Sequence, residues 1–112
     1  KNFLASKFKK FIGYGKNVLE VGCGDGFGSA LVAQKTGNVI CTDINKELLT
    51  QNSERMKAFK NIQFLYHDFR EKSFDQLVEG AYLIDVVEHI YPEEEQEFLE
   101  NIIGSIDKPL TW

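Results

Sequence analysis

Each of four apolar runs in this chain contains a carboxylate or leads to one. Glu20 lies within Asn17-Val18-Leu19-Glu20-Val21, and Asp43 closes Val39-Ile40-Cys41-Thr42. Asp68 follows Ile62-Gln63-Phe64-Leu65-Tyr66-His67, and Asp85 follows Ala81-Tyr82-Leu83-Ile84. Directly after the first run comes Gly22-Cys23-Gly24-Asp25-Gly26. Acids repeated at the ends of apolar runs are not a core pattern, because an unpaired ionised carboxylate is costly to bury. Glycines let the backbone turn tightly and approach a ligand with no side chain in the way. Asp43 stands where a strand end can reach two neighbouring hydroxyls, such as those of a ribose. Two donors there would meet two acceptor oxygens.

A second constellation is Asp85-Val86-Val87-Glu88-His89. Carboxylate and imidazole together suit magnesium, manganese or zinc. The plainer reading has Glu88 and His89 lining a pocket entrance and acting through hydrogen bonds. On an extended strand end Asp85 and Glu88 point to opposite faces. A helical turn would instead bring Asp85, Glu88 and His89 together, at i, i+3 and i+4. With only three potential ligands visible, no metal is assigned, and Glu88 and His89 are the candidate catalytic pair.

These groups need elements to hold them. Phe3 or Leu4, then Phe8, Phe11 and Ile12, fall on one helical stripe that Gly13 and Gly15 stop. Asn17–Val21 reads as a strand and a helix follows from Phe27, with Gly37 placed to cap it. Val39–Asp43 is the second strand, and Asn45 is a suitable N-cap for a helix through Leu48, Leu49 and Met56. Ile62–Tyr66 and Ala81–Val86 are the third and fourth strands, joined by a short, ill-defined crossover. Pro92 suits the first turn of a last helix, with Glu93, Glu94 and Glu95 at its positive end. Phe98, Leu99, Ile102, Ile103 and Ile106 form that helix's apolar stripe. Unbroken apolar strands alternating with helices predict a parallel sheet covered on both faces. Ligands of such sheets bind outside the carboxyl ends of the strands, where the acids lie.

The run Val18 to Gly26 resembles the first motif of class I S-adenosylmethionine-dependent methyltransferases, an acid followed by alternate glycines. Asp43 matches the second motif of that family, Asp68 the third and the segment around Asp85 the fourth. The resemblance extends over nearly the whole chain. It implies an α/β fold, a doubly wound Rossmann-like parallel sheet, with residues 1–112 forming one cofactor-binding domain cut before strand five. The cofactor implied is S-adenosyl-L-methionine. Gly22, Gly24 and Gly26, with Cys23 between them, would wrap its methionine part. Glu20 would steer that region through the turn backbone or a water. Asp43 would hold the ribose hydroxyls and Ile44 would pack on the adenine. Asp68 would accept from the adenine amino group beside the Phe69 amide, and the backbone around Asp85 would face the ammonium and the methyl group. A cofactor with a sulfonium and an ammonium but no phosphate suits an acidic pocket.

Plainer roles stand beside these: Glu20 as an acceptor for the glycine-turn amides, Asp68 as a loop cap, and His67 as a partly exposed strand-end residue. Tyr14, Tyr66, Tyr82 and Tyr91 read as packing aromatics. A dinucleotide-binding turn is the nearest rival, but its third glycine would fall at Phe27 or Ser29. The family's acid-x-x-Glu-His run occurs in members that use no metal. It also occurs in a few metal-dependent ones, such as small-RNA 2′-O-methyltransferases and ubiquinone-pathway O-methyltransferases. A cofactor-binding module without catalysis is a further alternative.

Bulk properties narrow the partners. With 112 residues the chain is one small domain at most, and its lack of an initiating Met reads as a fragment boundary. A net charge of -4 opposes nucleic-acid binding, so a small-molecule acceptor is favoured over nucleic acid. The two cysteines are too few for a metal framework and read as buried free thiols of a cytoplasmic protein. No apolar run approaches the ~20 residues of a membrane span.

Overall fold

Parallel strands order themselves here by the chain's excursions outward from a central strand. The computed structural model describes residues 16–24, 27–83 and 90–107. The N-terminal apolar stripe, Tyr14, Gly26, Asp85, Glu88 and His89 lie outside the described residues. Strands β1 (Asn17–Val21), β2 (Asn38–Asp43), β3 (Ile62–Tyr66) and β4 (Gly80–Leu83) alternate with helices α1 (Phe27–Ala33), α2 (Lys46–Arg55) and α3 (Pro92–Ile103). The sheet order is β3-β2-β1-β4, with every pairing parallel. The chain moves outward from β1 to β3, then crosses to the other side of β1. That reversal opens a crevice at the carboxyl ends of the strands.

The unbroken apolar run of β1 follows from burial on both faces. Successive side chains point to opposite sides. Leu19 and Val21 pack with Ile40, Phe69, Phe74, Val78, Phe98 and Ile102 on the α3 side. Val18 packs with Val32, Val39, Cys41, Leu49 and Tyr82 on the side of α1 and α2. Glu20, one residue before Val21, falls on that second face by the same alternation. Its carboxylate is therefore dealt with inside the protein.

The helix starts follow the chemistry of their first residues. The Asn45 side chain accepts from the Leu48 amide at 3.0 Å, which satisfies one of the orphan donors at the start of α2. Pro92 opens α3, followed by three glutamates at its positive end. Three expectations need correction. First, α1 ends at Ala33, so Gly37 is not its cap; the Gly37 amide donates to the Lys16 carbonyl at 3.1 Å, leading into β2. Second, the covered face of α3 is narrower than its apolar stripe: Phe98 and Ile102 are buried, whereas Ile103 is 63% exposed. Third, His67 is buried, not partly exposed. It packs on the Phe69 and Phe74 rings and lies 2.9 Å, through Nε2, from the Lys72 carbonyl. Tyr82 is buried in the core, while Tyr66 and Tyr91 are exposed.

Cys23 and Cys41 are free, buried thiols, as their number and spacing suggest. The neighbouring Cys23 thiol, burial and the Glu20 charge together push the Cys41 thiol far above its ordinary value. Thiolate is the reactive species. Iodoacetamide is therefore expected to leave the peptide containing Cys41 unmodified in the folded protein and to label it fully in denaturant. Peptide mass spectrometry at pH 8 checks this, and rapid native labelling would contradict the burial. Among the described residues, no helix is long and apolar enough to cross a membrane.

Candidate functional site

The site grows from the turn that follows β1. Gly22 and Gly24 have φ of 89° and 57°, backbone that L side chains rarely adopt. The Gly22 amide donates to the Thr42 carbonyl at 2.8 Å, which extends the β1–β2 ladder one step past Val21. The Cys23 amide then donates to Asp43 Oδ2 at 3.0 Å. Asp43 Oδ1 accepts from the Asn45 amide at 2.9 Å. The carboxylate at the end of β2 thus ties the glycine turn to the start of α2. Each of its oxygens keeps a second lone pair for another donor.

Asp68 sits just past β3 and is 8% exposed. Its Oδ1 accepts from the Arg70 amide at 2.9 Å and from Arg70 Nε at 2.9 Å, and its Oδ2 from Arg70 Nη2 at 2.8 Å. Such a fork-to-fork pair fixes the plane of the carboxylate. Hydrogen bonds from the Arg70 guanidinium hold the Asp68 carboxyl below its ordinary value, against the opposing effect of burial. Because the folded value is the lower one, the pair stabilises the fold above the unfolded carboxyl value of about 3.9. That contribution is lost as pH falls through the folded value. The Arg70 side chain is 36% exposed, so solvent screens the pair and Arg70→Ala should cost under about 1 kcal/mol at pH 7. Urea midpoints of wild type and variant should differ at pH 7 and converge below about pH 4. A gap unchanged by pH would mean that Arg70 acts through packing alone.

A cavity of about 550 Å³ lies at these strand ends. Gly22, Gly24, Asp43, Ile44, Asp68 and Phe69 line it, so six of the expected cofactor-binding residues meet at one opening. Val21, Leu48, Ile90 and Phe98 supply apolar wall. Its volume is that of a small-molecule site, largely apolar with a few placed polar groups. Two expected residues lie elsewhere. Cys23 is buried beneath the turn and reaches the site through its backbone amide. Glu20 is 1% exposed, on the face of the sheet toward α1 and α2. There it accepts from the Tyr82 hydroxyl at 2.7 Å, from the Ser29 hydroxyl, and from the Cys41 thiol at 3.6 Å.

Arg70 and Asn45 were not among the candidate residues, yet both line the cavity and hold its carboxylates. An arginine two residues after an acid was a legible signal for the first. Ser29 and Tyr82 carried no signal, because their partner Glu20 is distant in sequence from both. The arrangement offers a positive-φ glycine turn, two carboxylates held by amides and a guanidinium, and apolar walls. That donor and acceptor set fits a nucleoside bearing an aliphatic cationic arm.

Residues 18–107 match the family model described as a methyltransferase domain. The chain belongs to that family. Solved structures agree in fold. The N-methyltransferase NodS from Bradyrhizobium japonicum, in complex with S-adenosyl-L-homocysteine, superposes with a TM-score of 0.77 at 16% identity, covering 94% of this chain and 56% of that one. S-adenosylmethionine-bound CalS10, an amino pentose methyltransferase from Micromonospora echinaspora, gives a TM-score of 0.79 at 14% identity, covering 94% and 44%. In sequence, the chain is 37% identical over 70 residues to ribosomal RNA small subunit methyltransferase A of Caldanaerobacter subterraneus, covering 61% of this chain and 26% of that protein. The methyltransferase domain therefore spans about a quarter of this curated relative and about half of the solved chains. By family and fold it is of the class I, S-adenosylmethionine-dependent type.

Proposed function

We propose that the methyltransferase domain binds S-adenosylmethionine in the 550 Å³ cavity and that the parent protein transfers its methyl group to a small-molecule acceptor. The observation that carries the reading is the convergence of the positive-φ turn, Asp43, Ile44, Asp68 and Phe69 on one opening at the carboxyl ends of parallel strands. In this reading Gly22 and Gly24 hold the methionine part, Asp43 the ribose hydroxyls, and Ile44, Asp68 and Phe69 the adenine. The bound cofactor supplies a methyl group on a sulfonium, already an excellent leaving group. The chain's residues then have to orient it and exclude water, and such alignment lowers a barrier by several kcal/mol, about 7–11 at best. Val21, Ile90 and Phe98 give the apolar wall that water exclusion needs.

The small-molecule acceptor is supported by charge. Glu93, Glu94 and Glu95 begin α3, next to Ile90 and in the helix that carries Phe98, both of which line the cavity. Glutamates in that helix and a net charge of -4 disfavour a phosphate backbone. An RNA acceptor is the second reading, favoured by the likeness to ribosomal RNA small subunit methyltransferase A. Glu88 and His89 are proposed to line the acceptor entrance without a metal. The two free thiols support a cytoplasmic setting.

Calorimetric titration of the full-length protein tests the binding step: S-adenosylmethionine and S-adenosylhomocysteine should bind, and NAD should not. Transfer to small acceptors should vary little between 50 and 200 mM salt and survive EDTA. Activity that needs RNA and collapses with salt would establish the second reading. Binding without transfer to any acceptor would leave a non-catalytic module.

A further inference from the structure

We infer that Asn52 is a positioning residue for the glycine turn, fixing the Gly24 peptide from the middle of α2; its effect on cofactor affinity rests on the cavity being the cofactor site. Asn52 is 0% exposed, and its Nδ2 donates to the Gly24 carbonyl at 2.8 Å across 28 residues of sequence. The same side chain leaves its Oδ1 buried without a hydrogen-bond partner. Nothing about α2 asks for an asparagine at this place. Asparagine is a poor helix-interior residue, and leucine or alanine would fill a buried helix position with no orphaned carbonyl. What the amide contributes lies at its donor end, and the acceptor there is the turn.

Gly24 needs such a hold. Its φ of +57° is one of several conformations open to glycine, and a Cβ placed on it would meet nothing within 4 Å. Packing therefore does not select the conformation. Two polar contacts on consecutive residues do: Asp43 takes the Cys23 amide and Asn52 takes the Gly24 carbonyl. Both arrive from the β2–α2 unit. The turn that lines the cavity is thus shaped by the next element of the fold, and removing the Asn52 amide frees Gly24 and loosens the turn back through the Cys23 and Gly22 amides.

The test uses Asn52→Ala and Asn52→Leu in the full-length protein, the second keeping the side-chain volume. Hydrogen exchange is read first, without ligand. The Gly22 and Cys23 amides, bonded to Thr42 and Asp43, should exchange at least several-fold faster, while amides within β1, β2 and α2 keep their wild-type rates. S-adenosylhomocysteine affinity should fall about tenfold, the equivalent of one hydrogen bond. Unchanged exchange in the turn overturns the proposal, and so does faster turn exchange with wild-type affinity. Exchange that rises equally across the sheet, or loss of the fold in both variants, makes Asn52 a core residue and also overturns it. A wild-type protein that binds no S-adenosylhomocysteine overturns the proposed function, while the exchange data still decide whether Asn52 holds the turn.

Discussion

Asp43→Ala is expected to weaken S-adenosylmethionine binding by a hundredfold or more, the largest effect on affinity of any single change in the cavity. Two contributions add. A charged acceptor for the proposed ribose hydroxyls disappears, which costs roughly 1.5–3 kcal/mol. The Cys23 and Asn45 amides also lose their common acceptor, so the glycine turn and the start of α2 come apart on the ligand's side. Every 1.4 kcal/mol is about tenfold in affinity, so the sum passes two orders of magnitude. Asp43→Asn keeps one carbonyl oxygen and should fall between wild type and alanine. Calorimetric titration of the three proteins measures this. Equal affinities for wild type and Asp43→Ala would remove Asp43 from the site.

Glu20→Ala should act on the fold. The carboxylate is 1% exposed and accepts from the hydroxyls of Ser29 and Tyr82, which come from α1 and β4. Stranding a buried donor costs roughly 1–3 kcal/mol, and two donors are stranded here beside a new cavity. Burial, then the Glu20 charge, push the Tyr82 phenol up from its ordinary value, so Tyr82 is a neutral donor at pH 7. The expected loss is about 3–5 kcal/mol, and at about 2–4 °C per kcal/mol, the scale for a domain of 150–250 residues, that is roughly 6–20 °C in melting temperature. Glu20→Gln should cost less, because one oxygen remains and hydroxyls rotate to meet it. A Glu20→Ala protein that melts like wild type but no longer binds S-adenosylmethionine would assign Glu20 directly to the ligand.

Element types were legible wherever a local rule had no competitor. The four strands, the Asn45 cap and the Pro92 start each rest on residues close together in sequence. The boundaries that failed were set from a distance. Gly37 resembles a helix cap, but the strand beyond it recruits its amide to Lys16. Ile103 belongs to the apolar stripe of α3, yet no described element covers it.

What the sequence by itself determined is the ligand chemistry: an acid and alternate glycines after one apolar run, with acids ending the next, describe an acidic pocket at the carboxyl edge of a parallel sheet. Spacing along the chain is enough for that, because parallel βα units deliver every strand end to the same edge. Only the tertiary structure decided which acids meet in the cavity and which are consumed as scaffold. Asp43 and Asp68 fall at the opening, whereas the strand alternation that buries Val18 turns Glu20 toward Ser29 and Tyr82. The support of the glycine turn, Asn52 on Gly24, was equally hidden, whereas Arg70 stands two residues from its partner Asp68. A hydrogen bond across 28 residues leaves no periodicity to read, since its direction depends on how α2 packs over the turn.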